Sequence, residues 1–564
     1  MMRLFRRAAA CVLVGAVFSL PVWAQENGVG CDGPVVLKAG RSGPCTDQSR
    51  KIAELLEEPA VARAHWGIAV TAMDGAPIYL LNEGQLFQPA SNAKLFTTAA
   101  AMALLGGNST FNTKVYAQGS VVAGRLQGNL ALKGDGDANI SGRTIPYVAP
   151  SLHPKPAVPA LEALHILDTL ADQIAATGLK VIDGDVVGND TLFPWEPYPE
   201  DWSIDDMVWG YGAPVSALSI NDNQLKLTIA PGVLPKMTSA RGAEGPTPAV
   251  VTVEPQTAYY SVDNEAMTIE AKSKGSIGID RVPGSRTLRI YGTIAEDAPP
   301  EVEEIAIDDP AEYAAKSLKE KLEARGIVVN GKAVAQHRLI TEPMDFIEQV
   351  RRPILGLDRV GQAGMVPCLR CGVSNDAGDR ELAVHQSVTV AEDVVVTNKL
   401  SQNLHAELLL HQLGVAFSDD QDGGSTAQGA RVVRQFLLNA GIDADDFVFF
   451  DGSGLSGHDL VTPRATARLL QYASGQPWFA DWKSSLPVGG VDGSLEERFA
   501  KAPLKGKVFA KTGTLGEARA LSGYLECASG KTVIFSIMVG NHLPQTHADR
   551  DVMDRIVAAI AAAN

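Results

Sequence analysis

Ser91 and Lys94 stand three residues apart at the head of "SNAKLFTTAAAMALLGG", which follows Pro89 and closes on Gly106-Gly107. The pattern predicts a helix, and residues three apart share a helix face. A serine hydroxyl is a poor nucleophile until a neighbouring base takes its proton. Lysine becomes such a base when burial and a second cation destabilise its ammonium. Lys511 offers that cation in "GKVFAKTGTLGEARALSGYL", where Lys511, Thr512, Gly513 and Thr514 end a strand pattern. A third group, Ser401-Gln402-Asn403, opens a helix expected to end before Gly414. Ser401 can pass a proton toward a leaving amine, and Asn403 can hold both Lys94 and a substrate amide. A Lys-Thr-Gly edge strand gives backbone pairing for an extended peptide, hydroxyls for a carboxylate, and a glycine that lets substrate approach. The Ser91 and Thr514 N–H groups would complete an oxyanion hole. A solvated helix start explains Ser91 and Lys94 taken alone; all three motifs in this order point to acyl transfer. A second Ser-x-Asn, Ser219-Ile220-Asn221, lies in a strand-like context and reads as structural.

These residues must be carried by elements far apart in the chain. "HWGIAVTAMDGAPIYLL" reads as two strands turning at Asp74-Gly75. Three apolar strand patterns cover 507–515, 520–527 and 532–539, and a closing helix runs from about 549 to 563. Together they predict a five-stranded antiparallel sheet flanked by helices, split by a long insertion. The expected division is 1–24 leader, 25–112 first part of the catalytic domain, and 113–224 first part of an outer inserted domain. An inner inserted domain follows at 225–298, then the outer domain's second part at 299–343. Residues 344–392 form an unassigned segment, and 393–564 complete the catalytic domain. Both inserts are rich in strand patterns, so the fold class is α+β and multidomain.

Composition bounds the function. The 564 residues are 45% hydrophobic and 20% charged, and the net charge of −16 argues against a broad nucleic-acid surface. Arg3, Arg6 and Arg7 precede an apolar run too short to span a bilayer, and Val22-Trp23-Ala24 fits a cleavage site. An exported protein of the periplasm or extracytoplasmic wall space is expected, with an uncleaved anchor as the alternative. Peripheral membrane association is compatible with either. In an oxidising compartment Cys31 and Cys45 are candidates for one disulfide. Cys368 and Cys371 are candidates for another, the alternatives being a redox pair or half a metal site. Four ligands are wanting, so no metal or cofactor is expected, and Cys527 reads as a buried thiol.

With these motifs the chain resembles the class C low-molecular-mass penicillin-binding proteins, serine D-alanyl-D-alanine carboxypeptidases and endopeptidases of the bacterial cell wall. "LKGDGDANI", "DGDVVGNDTLF", "YGAPVSALSINDN", "FFDGSGLS", "VTPRATARLL" and "LPVGGVDGSLEERF" carry the likeness along nearly the whole mature chain. The resemblance implies a penicillin-recognising, β-lactamase/transpeptidase-like domain with two inserted β-rich domains. It makes Ser91 the acylated nucleophile, Lys94 its base, and Ser401 with Asn403 the second element. Lys511, Thr512 and Thr514 then bind the substrate carboxylate. Peptidoglycan stem peptides and crosslinks are the implied substrates, and β-lactams the implied covalent inhibitors. A serine β-lactamase and a non-catalytic peptidoglycan-binding protein are the rival readings. Two departures stand out. Gln402 replaces the usual Asp of the second motif, at a position not central to the chemistry. Gly457-His458 follows "SGLS" where relatives carry an arginine that helps bind the stem side chain.

Overall fold

Strand Thr532–Gly540 is buried along almost its whole length, so both of its faces must be covered. Val533, Phe535, Ile537 and Val539 join the core beneath helices Asp47–Leu56 and Ala548–Ala563. Ile534 and Met538 point the other way, into the core shared with helix Ala93–Ala101. That alternation is the period of two that a strand imposes. The computed structural model describes residues 41–42, 46–153, 161–233, 247–341, 345–354, 379–417, 424–544 and 546–564. The expected leader and Cys31, Cys45, Cys368 and Cys371 lie outside them.

Five long strands form the expected antiparallel sheet, in the order Pro77–Leu81, His65–Ala72, Thr532–Gly540, Ala518–Glu526, Val508–Leu515. The two-residue strand Arg41–Ser42 adds a sixth beside Pro77–Leu81. Gly75 turns the first hairpin at φ 88°, a conformation glycine adopts without a steric cost. Val508–Leu515 is the other edge of the sheet.

The insertion builds its own sheets. Seven strands between Asn112 and Gln386 form a mixed sheet, against which helices His165–Ala176 and Pro310–Ala324 pack. Gln224–Ala230 pairs with Val250–Glu254 and also with Glu301–Ala306. Pairing therefore carries this inner sheet past the boundary expected at 298. Arg380–Gln386, expected in the unassigned segment, pairs antiparallel with Asn112–Ala117 and belongs to the outer sheet.

The helix after the second motif runs from Asn403 to Phe417, past the stop expected at Gly414. A Cβ at Gly414 would lie 3.0 Å from the Gly429 backbone nitrogen. The glycine allows helix Thr426–Asn439 to approach closely and does not terminate its own helix.

Candidate active site

Ala90–Asn92 forms a single 3-10 turn that feeds helix Ala93–Ala101. Asn92 Nδ2 donates to Ser522 Oγ at 2.8 Å, tying this turn to the sheet. Lys94 is fully buried. Its Nζ donates to Ser91 Oγ at 3.0 Å, Asn403 Oδ1 at 2.6 Å and the Ser453 carbonyl at 2.7 Å. Three acceptors match the three donors of an ammonium. Lys511, also fully buried, donates to Ser401 Oγ at 2.8 Å and to the Thr512 carbonyl at 3.0 Å. Ala90 and Ser401 both adopt left-handed backbone, φ 46° and 60°. Each non-glycine residue in that region costs about 1–2 kcal/mol, strain of a kind that collects at functional sites.

Burial depresses the Lys94 ammonium to about 8, although the carboxyls of Asp451, Glu407 and Asp459 pull it upward. Lys511 is held well below the usual lysine range by burial and then by the Lys94 charge. Ser91, Ser401, Asn403 and Thr514 line a cavity of about 360 Å³ together with Asp206, Tyr211, Gly454, Leu455, Leu515 and Gly516. The sequence-predicted residues thus converge. Thr512 sits beside them, its hydroxyl 2.7 Å from Ser494 Oγ. A hydroxyl beside a lowered amine, with a second hydroxyl–amine pair across a cleft, is equipped for acyl transfer.

Residues 48–345 and 370–563 match the D-Ala-D-Ala carboxypeptidase 3 (S13) family. The chain belongs to this family. It is 32% identical over 505 residues to a D-alanyl-D-alanine carboxypeptidase of Actinomadura sp. (strain R39), a match covering 88% of this chain and 81% of the relative. It is 24% identical over 453 residues to the D-alanyl-D-alanine carboxypeptidase DacB of Haemophilus influenzae, covering 79% of each. The fold is similar to the crystal structure of penicillin binding protein 4 from Haemophilus influenzae. That superposition has a TM-score of 0.70 and 21% identity, and covers 92% of this chain and 98% of the other.

In this S13 family member Gly513 packs against the turn that carries Ser91. A Cβ there would lie 2.6 Å from the Pro89 carbonyl and 3.1 Å from the Ser91 nitrogen. The missing side chain lets the strand press against the Ser91 turn. Ser219 is structural, as read: its hydroxyl donates to the Ser216 carbonyl at 2.8 Å and accepts from Asn223 Nδ2 at 3.0 Å. His458 is half-exposed, with its ring 5.1 Å from that of Phe450.

Several functional contacts escaped the sequence reading. Asn403 Nδ2 donates to the Tyr211 carbonyl at 2.9 Å, and the Tyr211 hydroxyl donates to Asp206 Oδ1 at 2.8 Å. Both come from the insertion. So does Asp222, which accepts from Gln402 Nε2 at 3.0 Å and meets His405 Nε2 at 3.2 Å and Arg143. The only signal for Asp222 was "SINDN", whose Asn221, Asp222 and Asn223 are all left-handed. The unusual Gln402 therefore has a partner, an amide N–H meeting a carboxylate.

Proposed function

We propose that Ser91 is the nucleophile of a serine DD-peptidase that cleaves the bond after D-alanine in peptidoglycan stem peptides, as carboxypeptidase, endopeptidase or both. Lys94 in its neutral form takes the Ser91 proton while Oγ attacks the carbonyl carbon of the scissile bond. The oxyanion rests between the Ser91 and Thr514 N–H groups. Collapse expels the amine, which receives its proton through Ser401, held by Lys511. Water then hydrolyses the Ser91 ester and regenerates the hydroxyl. Thr512 and Thr514, beside Lys511, hold the terminal carboxylate, and the edge of Val508–Leu515 beyond Ala510, where pairing with residues 487–489 ends, pairs with the peptide backbone.

The observation that carries this reading is the triple contact of the buried Lys94 Nζ with Ser91, Asn403 and Ser453. A non-catalytic binder has no use for a buried amine poised on a hydroxyl. A β-lactam presents the same acyl carbon and is expected to acylate Ser91 and inhibit the enzyme. The Haemophilus influenzae relative has been crystallised in complex with a β-lactam. The enzyme acts outside the cytoplasm, and among the described residues no helix is long and apolar enough to cross a membrane.

The test is peptide mapping after labelling with a penicillin. The adduct is expected on Ser91 and absent in Ser91→Ala, which should still fold. An adduct on another residue would refute the assignment. Rapid release of hydrolysed penicillin, with no cleavage of stem peptides or crosslinked dimers, would favour a β-lactamase.

A further inference from the structure

Beneath Lys94 lie three carboxyls that the mechanism above does not use. Glu407 stands one turn after Asn403 on the same helix face and is fully buried. Its two oxygens accept from one backbone group, the Gly452 N–H, at 3.1 and 3.0 Å. The neighbouring residue, Ser453, gives its carbonyl to Lys94. Asp451 gathers the N–H groups of Ser453, Gly454, Leu455 and Ser456 at 3.1, 2.6, 2.9 and 2.7 Å, and Trp202 Nε1 at 2.9 Å. Asp459 Oδ1 accepts from the Phe450 N–H at 2.6 Å, while its buried Oδ2 has no donor among the described residues.

The Asp451 carboxyl stands near enough to act on it. Two carboxyls in contact in a buried site cannot both ionise. Burial, and then the charge of Asp451, raises the Asp459 carboxyl well above the usual range. Glu407 has too few donors to hold a charge unaided. Burial and then Asp451 push it to about 8, against the Ser453 and Gly452 hydrogen bonds and the Lys94 charge. Lys94 is faced by Asp451, Glu407 and Asp459 on this side and by Lys511 on the other.

We propose that Glu407 is a positioning residue whose ionisation is coupled to that of Lys94, so that its charge governs the pH at which the base becomes free. The inference rests on Lys94 being the base of the acylation step. Glu407 holds Gly452 and Lys94 holds Ser453 in one buried cluster, where opposite charges favour each other, so each loss of a proton alters the other. As pH rises, Glu407 ionises and its negative charge keeps the proton on Lys94. At lower pH Glu407 is neutral and adds no charge beside the ammonium. The pair thereby spreads the release of the base over a wider span of pH than Lys94 alone would show.

The test is an NMR titration of the full chain carrying lysine labelled with 13C at the ε-carbon, the Lys94 signal being assigned by its loss in Lys94→Arg. Glu407→Gln keeps the shape and removes the charge. Its Lys94 midpoint is expected to fall by about one unit. The acid limb of the penicillin acylation rate is expected to fall with it. An unchanged Lys94 midpoint in a folded Glu407→Gln protein would overturn the proposal. Should that variant fail to fold, wild-type protein labelled at the glutamate carboxyl carbon decides the matter. One glutamate titrating near 8 supports the coupling, and none above 6 overturns it. The midpoints do not depend on acylation, so a failure of Ser91 to be labelled is a separate result that strikes the acyl-enzyme reading.

Discussion

Gly454 links the loop beneath Lys94 to the turn that carries Ser91, and Gly454→Ala should uncouple them. The residue is left-handed at φ 81°, which costs an alanine about 1–2 kcal/mol. Its Cβ would fall 1.8 Å from the Ala90 carbonyl oxygen, whereas ordinary contact begins near 3.4 Å. The obstacle is backbone, so no side chain can swing aside and the loop must withdraw by well over an ångström. The Ser453 carbonyl, now 2.7 Å from Lys94 Nζ, would move out of hydrogen-bond reach. A hydrogen bond to a charged group is worth about 1.5–3 kcal/mol, so acylation should slow roughly ten- to hundredfold. The assay is the second-order rate of labelling by a fluorescent penicillin, beside urea unfolding of the same protein. A variant labelled within about threefold of wild type and equally stable would show that this loop does not hold the base.

Asn403→Ala removes one acceptor of Lys94 and the contact with Tyr211, and acylation should fall by about tenfold or more, read as kcat/KM for penicillin and for an acyl-D-Ala-D-Ala peptide. Gly457→Arg tests the missing arginine: a Cβ there lies 2.7 Å from Asp201 Oδ2, so the new guanidinium should pair with Asp201. Discrimination between stem peptides with and without a free side-chain carboxylate should then change little in the single variant. It should rise about tenfold once Asp201→Asn is added, as kcat/KM on matched peptides would report. His405 gives a stability signature: burial pushes its imidazolium down, but Asp393 and Asp222 outweigh this and raise it to about 9. A raised histidine stabilises fully below its unfolded value near 6.5 and loses that contribution as pH climbs through 9. Urea unfolding should therefore show about 2–3 kcal/mol lost between pH 7 and 9.5, and His405→Gln should flatten that slope. Equal slopes in the two proteins would remove His405 from the account.

The sequence by itself determined whatever depends on near neighbours. Ser91 and Lys94 meet because a helical start brings residues three apart together, and the distance is 3.0 Å. The first hairpin and the terminal strands were legible because Asp74-Gly75 is a turn signal and apolar residues crowd the flanking segments. Motif identity placed Ser401, Asn403 and Lys511 in the same site. Only the tertiary structure decided which groups surround these residues. Glu407, Asp451 and Asp459 became neighbours of Lys94 only when helix and loop packed beneath it and excluded water. Tyr211 and Asp222 reach the second motif across 192 and 180 residues of chain, contacts no local pattern encodes. Gly414 looked like a helix stop. It proved to be a place where two backbones touch, as Gly513 also is, because the clash a side chain would cause lies with a partner distant in the sequence.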